Sequence, residues 1–168
     1  MNTLTAVVPF YNEEKFLEES VSRLLKYNIF ETILLVDNNS NDNSKNIARN
    51  LSKENKNITL IKTDNVPGKG VAIAKAKDVV KTSHVVIHDA DLEYFPDDLV
   101  NMWELSLKHE NSLILGSRFI GKETRKNIYF RTYAANRFMS LFFSIVNFYK
   151  ISDVASCYKL MPSTFFKN

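Results

Sequence analysis

The 168-residue sequence predicts an open α/β fold, a mainly parallel, twisted sheet with helices on both faces, built as one domain. Three observations predict it. Short apolar runs such as Ile33-Leu34-Leu35-Val36 and Val85-Val86-Ile87 have the continuous character of strands buried on both faces. Stretches with helical apolar spacing alternate with those runs, as in strand-helix-strand units. The runs also lead into acids, Asp37, Asp89 and Asp91, and open sheets of this kind bind ligands beyond the carboxyl ends of their strands.

In chain order, residues 5 to 9 read as the first strand. Asn12 is expected to cap a helix, with Glu13 and Glu14 in its favourable first turn and Phe16, Leu17, Val21, Leu24 and Leu25 at helical spacing. Residues 33 to 36 form the second strand, which ends at Asp37 and an Asn/Ser/Asp-rich turn. Residues 44 to 54 read as a helix and 58 to 61 as a strand. The turn Asn65-Val66-Pro67-Gly68-Lys69-Gly70 opens a helix to about Val80. A strand over 85 to 87 precedes Asp89, a helix runs from near Pro96 to about Lys108, and 113 to 115 is a further strand. Residues 138 to 149 are too short and interrupted to cross a bilayer. They are expected as a helix buried against the sheet; Arg125, Lys126, Arg131 and Arg137 keep an interfacial helix as the alternative.

Composition narrows the class. An apolar share of 45% with 24% charged residues suits a soluble globular domain. A net charge of +3, dispersed except near 118 to 137, is no nucleic-acid footprint. Cys157 is the only cysteine, so no intrachain disulfide can form and a reducing compartment is compatible. The opening Met1-Asn2-Thr3-Leu4-Thr5 lacks the basic and apolar regions of a signal peptide. The expected location is the cytoplasm, with peripheral contact on the cytoplasmic membrane face through 125–149 as an option.

Asp89-Ala90-Asp91 is the sharpest chemical signal. If the preceding strand continues, alternation puts both carboxylates on one face and Ala90 on the other. Two hard oxygen donors suit Mg²⁺ or Mn²⁺, which keep waters and share substrate phosphates. Two acids merely beginning a polar loop would look the same, so context decides. A dinucleotide-binding domain would carry Gly-x-Gly-x-x-Gly after its first strand, where this chain has Pro9-Phe10-Tyr11-Asn12-Glu13-Glu14. A phosphate-binding P-loop fails as well, because Gly68-Lys69-Gly70 lacks the earlier glycine and the following Ser or Thr. A sugar-nucleotide-forming nucleotidyltransferase is demoted for want of a glycine-rich loop after strand one.

Five segments in order, Val8-Pro9-Phe10-Tyr11-Asn12-Glu13-Glu14, Val36-Asp37-Asn38-Asn39-Ser40-Asn41-Asp42, Gly68-Lys69-Gly70, Asp89-Ala90-Asp91 and Gly116-Ser117-Arg118, resemble the motifs of family-2 glycosyltransferases with the GT-A fold. Asp91-Leu92-Glu93, Gly116-Ser117-Arg118-Phe119 and Asp153-Val154-Ala155-Ser156-Cys157-Tyr158-Lys159-Leu160 bring the likeness nearest to polyprenyl-phosphate glycosyltransferases such as dolichyl-phosphate mannose synthase.

The resemblance implies inverting transfer of a sugar from a UDP- or GDP-linked donor, with Asp89 and Asp91 holding Mg²⁺ or Mn²⁺ against the departing nucleoside diphosphate. Lys69, at a helix start, would add to the diphosphate cradle; an ordinary solvated lysine is the plain alternative. Asp37 stands where the family's acid contacts base or ribose, or else caps the next helix. Asn38 and Asn39 replace the family's second acid and glycine and leave the base open. Pro9, Tyr11, Glu13 and Ala90 complete the donor site. A polyprenyl phosphate acceptor is already anionic, so it needs no base but does need cations, for which Arg118 and Arg131 are the candidates, then Lys159, where the family has arginine. A sugar hydroxyl acceptor would instead need a base, and Asp153 is best placed for that. The likeness implies a single GT-A-like domain over residues 1–168, shortened on its acceptor side. A non-catalytic nucleotide-sugar-binding or scaffold domain is the other class kept open.

Overall fold

The computed structural model describes residues 1–64, 66, 68–119 and 130–168, the side chains of 130–132 excepted. The elements are β1 (Leu4–Phe10), α1 (Leu17–Leu25), β2 (Thr32–Asp37), α2 (Ser44–Glu54), β3 (Ile58–Lys62), α3 (Lys69–Ala76), β4 (His84–Ile87), α4 (Asp97–Lys108), β5 (Ile114–Leu115), α5 (Phe130–Val146), β6 (Lys159–Pro162) and α6 (Ser163–Lys167). They form a six-stranded sheet in the order β3-β2-β1-β4-β6-β5. The β3-β2-β1-β4 run is parallel, while β6 pairs antiparallel with both β4 and β5. The expected open, mainly parallel α/β sheet is therefore found.

Alternation along β1 and β2 divides the core. Leu4, Ala6, Val8, Phe10, Ile33 and Leu35 face one layer with Leu17, Val21, Leu24, Ala48, Leu99 and Met102. Val7, Leu34 and Val36 face the other with Ala72, Ala76, Val80 and Phe166. Helices thus cover both faces, and every residue of β1 is buried. Each fully buried Val or Leu stabilises by about 1.5–3 kcal/mol relative to exposure. After β3 the chain crosses back over β1 to add β4 on its other side, so the β1/β4 edge is the switch point where a crevice opens.

Four expectations need correction. Asn12 does not cap a helix: it adopts a left-handed φ of 54°, and α1 begins only at Leu17. The backbone N–H groups of Asn12, Glu13 and Glu14 donate instead to Ser40, Ser44 and Asp42, which staples this loop to the start of α2. The helix after Gly68 ends at Ala76, before Val80, in a tight turn where Val79 and Val80 N–H both donate to Ala76 O. β4 ends at Ile87, so Asp89 and Asp91 lie in a loop and strand alternation does not orient them.

The fourth correction concerns α5, which is not buried against the sheet. Phe138, Leu141, Phe142 and Ile145 are each more than 60% exposed. Its inward residues are polar: Asn136 and Ser140 are buried, Ser140 Oγ accepts from Val154 N at 3.0 Å, and Ser144 Oγ accepts from Ile151 N at 2.9 Å. Both sheet faces are already filled by the other helices, so α5 packs on loop backbone through hydroxyls and turns its apolar side out.

Candidate donor-binding cleft

A cleft of about 250 Å³ opens at the carboxyl ends of β2, β1 and β4, lined by Pro9, Phe10, Tyr11, Glu13, Asn38, Lys69, Asp89, Ala90 and Asp91. All but Phe10 are donor-site residues expected from sequence. Pro9 to Tyr11 come from the end of the central strand, Asn38 from just beyond β2, Lys69 from the first turn of α3, and Asp89 to Asp91 from the loop after β4. β2 and β4 flank β1, so the strand ends that lead into Asn38 and Asp89 are two strand spacings apart, roughly 10 Å. A nucleoside diphosphate is of that length.

The acidic end of the cleft has one strong internal pair. Lys69 Nζ lies 2.5 Å from Asp89 Oδ1 and 3.7 Å from Cys157 Sγ. Burial pushes the Cys157 thiol up to about 12, with Asp89 adding to the effect, so this sulfur is a neutral neighbour. Asp91 Oδ1 accepts from Glu93 N at 3.0 Å. Across the cleft the Glu13 carboxyl is raised, first by burial and then by Asp91, Asp42 and Asp89. Three acids against one lysine leave the cleft anionic, a setting that attracts a cation.

Such an ion fits the residues in one particular way. Among the described residues no group of three or more His, Cys, Asp or Glu side chains could hold a metal. Two carboxylates supply only part of a coordination shell, so an ion held by Asp89 and Asp91 would have to complete it with water and ligand phosphates, as Mg²⁺ and Mn²⁺ do. The ammonium on Asp89 shows that the position already favours a cation.

The β2 end of the cleft is built by hydrogen bonds. Asn38 N donates to Phe10 O at 2.9 Å, and Asn38 Oδ1 accepts from Gly68 N and Thr63 Oγ1, each at 3.3 Å. Gly68 has a φ of 141°, a conformation open to glycine, which lets its N–H reach Asn38. Asp37 does not line the cleft. It is buried, its Oδ1 accepts from Ser40 N at 2.8 Å, and its Oδ2 has no hydrogen-bond partner. It does not cap α2, which starts at Ser44 with Asp42 Oδ1 accepting from Ser44 N.

Beneath the Asp89 loop is a polar bridge that sequence reasoning missed. His88 is buried, with Nε2 at 3.0 Å from Ser20 Oγ and Nδ1 at 3.0 Å from Tyr158 Oη. Burial lowers its pKa to about 4, so the ring is neutral at ordinary pH. Its partners lie 68 and 70 residues away, and a histidine continuing a buried apolar run was the one available signal.

Arg118 and Asp153 do not line this cleft and bind each other. Arg118 Nε and Nη2 donate to Asp153 Oδ2 and Oδ1 at 2.8 and 2.9 Å, and the Asp153 side chain is fully buried. Burial alone would raise the Asp153 carboxyl, but these bonds outweigh it and hold the group below its ordinary value. In this pairing Asp153 is the counterion of Arg118 and presents no oxygen to solvent. Lys159 Nζ donates to Ser156 O at 2.8 Å. The Arg131 side chain and residues 125 and 126 lie outside the described residues, and Arg137 is exposed.

Comparison with known proteins gives the family and the fold. The model of a family described as glycosyl transferase family 2 matches residues 5–168. The chain is 26% identical over 165 residues to a UDP-N-acetylglucosamine–dolichyl-phosphate N-acetylglucosaminyltransferase of Methanococcus voltae, covering 89% of this chain and 65% of that protein. Its fold matches that of glucosyl-3-phosphoglycerate synthase from Mycobacterium tuberculosis in complex with Mn²⁺ and UDP-glucose, at a TM-score of 0.75 and 16% identity, over 97% of this chain and 57% of that one. It also matches the mannosyltransferase PcManGT of Pyrobaculum calidifontis in complex with GDP-Man and Mn²⁺, at 0.60 and 24% identity, over 68% and 35% of the two chains. The chain spans less than two thirds of the length of each of these proteins.

Proposed function

This chain belongs to glycosyl transferase family 2, and from that premise we propose that it transfers a sugar, with inversion, from a UDP- or GDP-linked donor to a polyprenyl phosphate held in a membrane. The observation that carries the donor half is the gathering of Asp89, Asp91, Lys69 and Asn38 around one cleft at the β1/β4 switch point. In this reading the nucleoside lies toward β2 against Pro9, Tyr11 and Asn38, and the unbonded Asp37 Oδ2 is an acceptor available there after a small rearrangement. The diphosphate lies toward β4, where Lys69 offers a cation. A divalent ion on Asp89 and Asp91, Mg²⁺ or Mn²⁺, neutralises charge on the leaving nucleoside diphosphate when bound.

Two observations favour an anionic acceptor over a sugar hydroxyl. A hydroxyl needs a general base, and the best-placed carboxylate, Asp153, is buried and spent on Arg118. A phosphate monoester needs only positive charge and alignment. Arg118 keeps Nη1 free of the Asp153 contacts, and Arg131 is the second candidate. The inside-out helix α5 supports acceptor delivery from a lipid surface, because its exposed aromatic and aliphatic side chains suit the headgroup boundary. Residues 118–150 carry seven basic residues against the single acid Glu123, which adds attraction to anionic lipid. Among the described residues no helix is long and apolar enough to cross a membrane.

Titration with UDP and GDP, each with and without Mn²⁺, tests the donor half. Metal-dependent binding of one of them is expected, and absence of binding to both contradicts the reading. Incubation of the labelled nucleotide sugar with vesicles containing a polyprenyl phosphate tests the acceptor half. Binding without transfer would favour the non-catalytic alternative.

A further inference from the structure

The Lys69–Asp89 pair raises a question that the donor reading leaves open, and the inference rests on that reading. Both residues line the cleft, and the ammonium sits 2.5 Å from Asp89 Oδ1. That oxygen cannot give the same lone pairs to a divalent ion, and an ion on the other oxygen would stand within a few Å of a like charge. Lys69 and the ion therefore compete for Asp89. Lys69 is free to move, since its side chain is 51% exposed and springs from the first residue of α3. Its other contact is the longer one to Cys157 Sγ, at 3.7 Å. Asp89 is its one ion-pair partner among the described residues.

We propose that Lys69 is a latch that makes metal binding conditional on the nucleotide. In the empty cleft it neutralises Asp89 and keeps affinity for a free divalent ion low. When a nucleoside diphosphate enters, its phosphate oxygens draw the ammonium off Asp89, and the freed carboxylate joins Asp91 in holding the ion. One lysine thus acts against the metal before the donor arrives and for the diphosphate afterwards. Its removal must shift the two affinities in opposite directions, which neither a plain phosphate-binding lysine nor a structural ion pair would do.

The experiment measures Mn²⁺ binding, by calorimetry and by the paramagnetic signal of the free ion, to the intact chain and to Lys69→Met, Lys69→Gln and Lys69→Arg. Each protein is measured alone and with saturating UDP or GDP, whichever the parent binds. Both uncharged variants are expected to bind Mn²⁺ alone about fivefold tighter or more, and to bind the nucleotide with Mn²⁺ more weakly by a similar factor. Lys69→Arg keeps the charge and is expected to leave Mn²⁺ binding alone as weak as in the parent. Unchanged or weaker Mn²⁺ binding by both uncharged variants overturns the latch while leaving the donor site standing. Failure of the parent to bind either nucleotide with Mn²⁺ overturns the donor reading itself, and the latch with it.

Discussion

Arg118 and Asp153, 35 residues apart in sequence, are tied by three hydrogen bonds: the Arg118 backbone N–H and Nε both donate to Asp153 Oδ2, at 3.0 and 2.8 Å, and Nη2 donates to Oδ1 at 2.9 Å. The pair joins the segment after β5 to the loop before β6, on the side of the molecule assigned to the acceptor. Asp153→Asn cannot accept at both positions and leaves a guanidinium facing an amide N–H₂. It is expected to cost about 3 kcal/mol, as is usual when one member of a buried pair is removed. Denaturant midpoints of parent and variant measure this.

The same pair sets a pH dependence. Arg118 holds the Asp153 carboxyl below its ordinary value against the opposing pull of burial. A folded value below the unfolded one gives stability that is fully present above the unfolded value, about 3.9, and is lost as pH falls through the folded value. The parent is expected to lose stability steadily below about pH 4. Asp153→Asn should lack that share of the loss, so the two denaturation curves should converge with acidification.

Gly116 is fixed by close approach. A Cβ there would lie 2.7 Å from Tyr158 Cβ and 3.3 Å from Met102 Sδ, while Gly116 N donates to Tyr158 O at 2.9 Å. Gly116→Ala must push Tyr158 away, and Tyr158 bears the hydroxyl beside His88. A loss of about 1–3 kcal/mol is expected, as for overpacked cores. A weaker nucleotide affinity should accompany it, because His88 adjoins Asp89; thermal melts and nucleotide titration report the two effects separately.

The outward side of α5 gives the opposite profile. Leu141→Glu and Phe142→Glu alter exposed side chains, so stability should change by less than about 0.5 kcal/mol. Cosedimentation with anionic vesicles should fall sharply in both, with binding of UDP or GDP intact. Parent-level vesicle binding would remove α5 as the membrane contact.

Much of the fold was readable because its strands are short apolar runs with no competing interpretation. The acids that follow them mark the sheet's carboxyl edge, so Asp37, Asp89 and Asp91 could be placed there from the strands alone, whereas Pro9, Tyr11, Asn38 and Lys69 were named by the family resemblance. What escaped depends on long-range partners. Asn12 looks like a helix cap in sequence, but Ser40, Ser44 and Asp42 claim the N–H groups that a helix start would need to satisfy. β6 is a short strand in a stretch read as a motif, and its antiparallel pairing with β4 has no local signal. The apolar content of 138 to 149 argued for burial, whereas Asn136, Ser140 and Ser144 at four-residue intervals marked the true inward side. Asp37 was placed at the right strand end, yet its carboxylate turns into the Ser40 turn and away from the cleft surface.

Calorimetric titration of Asp91→Ala beside the parent, with UDP and GDP in Mn²⁺ and then in chelator, puts the donor cleft to the decisive test. Asp91 is exposed and makes one local bond to Glu93 N, so the variant should melt within a few degrees of the parent. The parent should bind one nucleotide in Mn²⁺ and lose it in chelator, and Asp91→Ala should bind in neither condition. Binding by Asp91→Ala as tight as the parent's, with the same response to Mn²⁺, would contradict the assignment of Asp89-Ala90-Asp91 as the metal and diphosphate site.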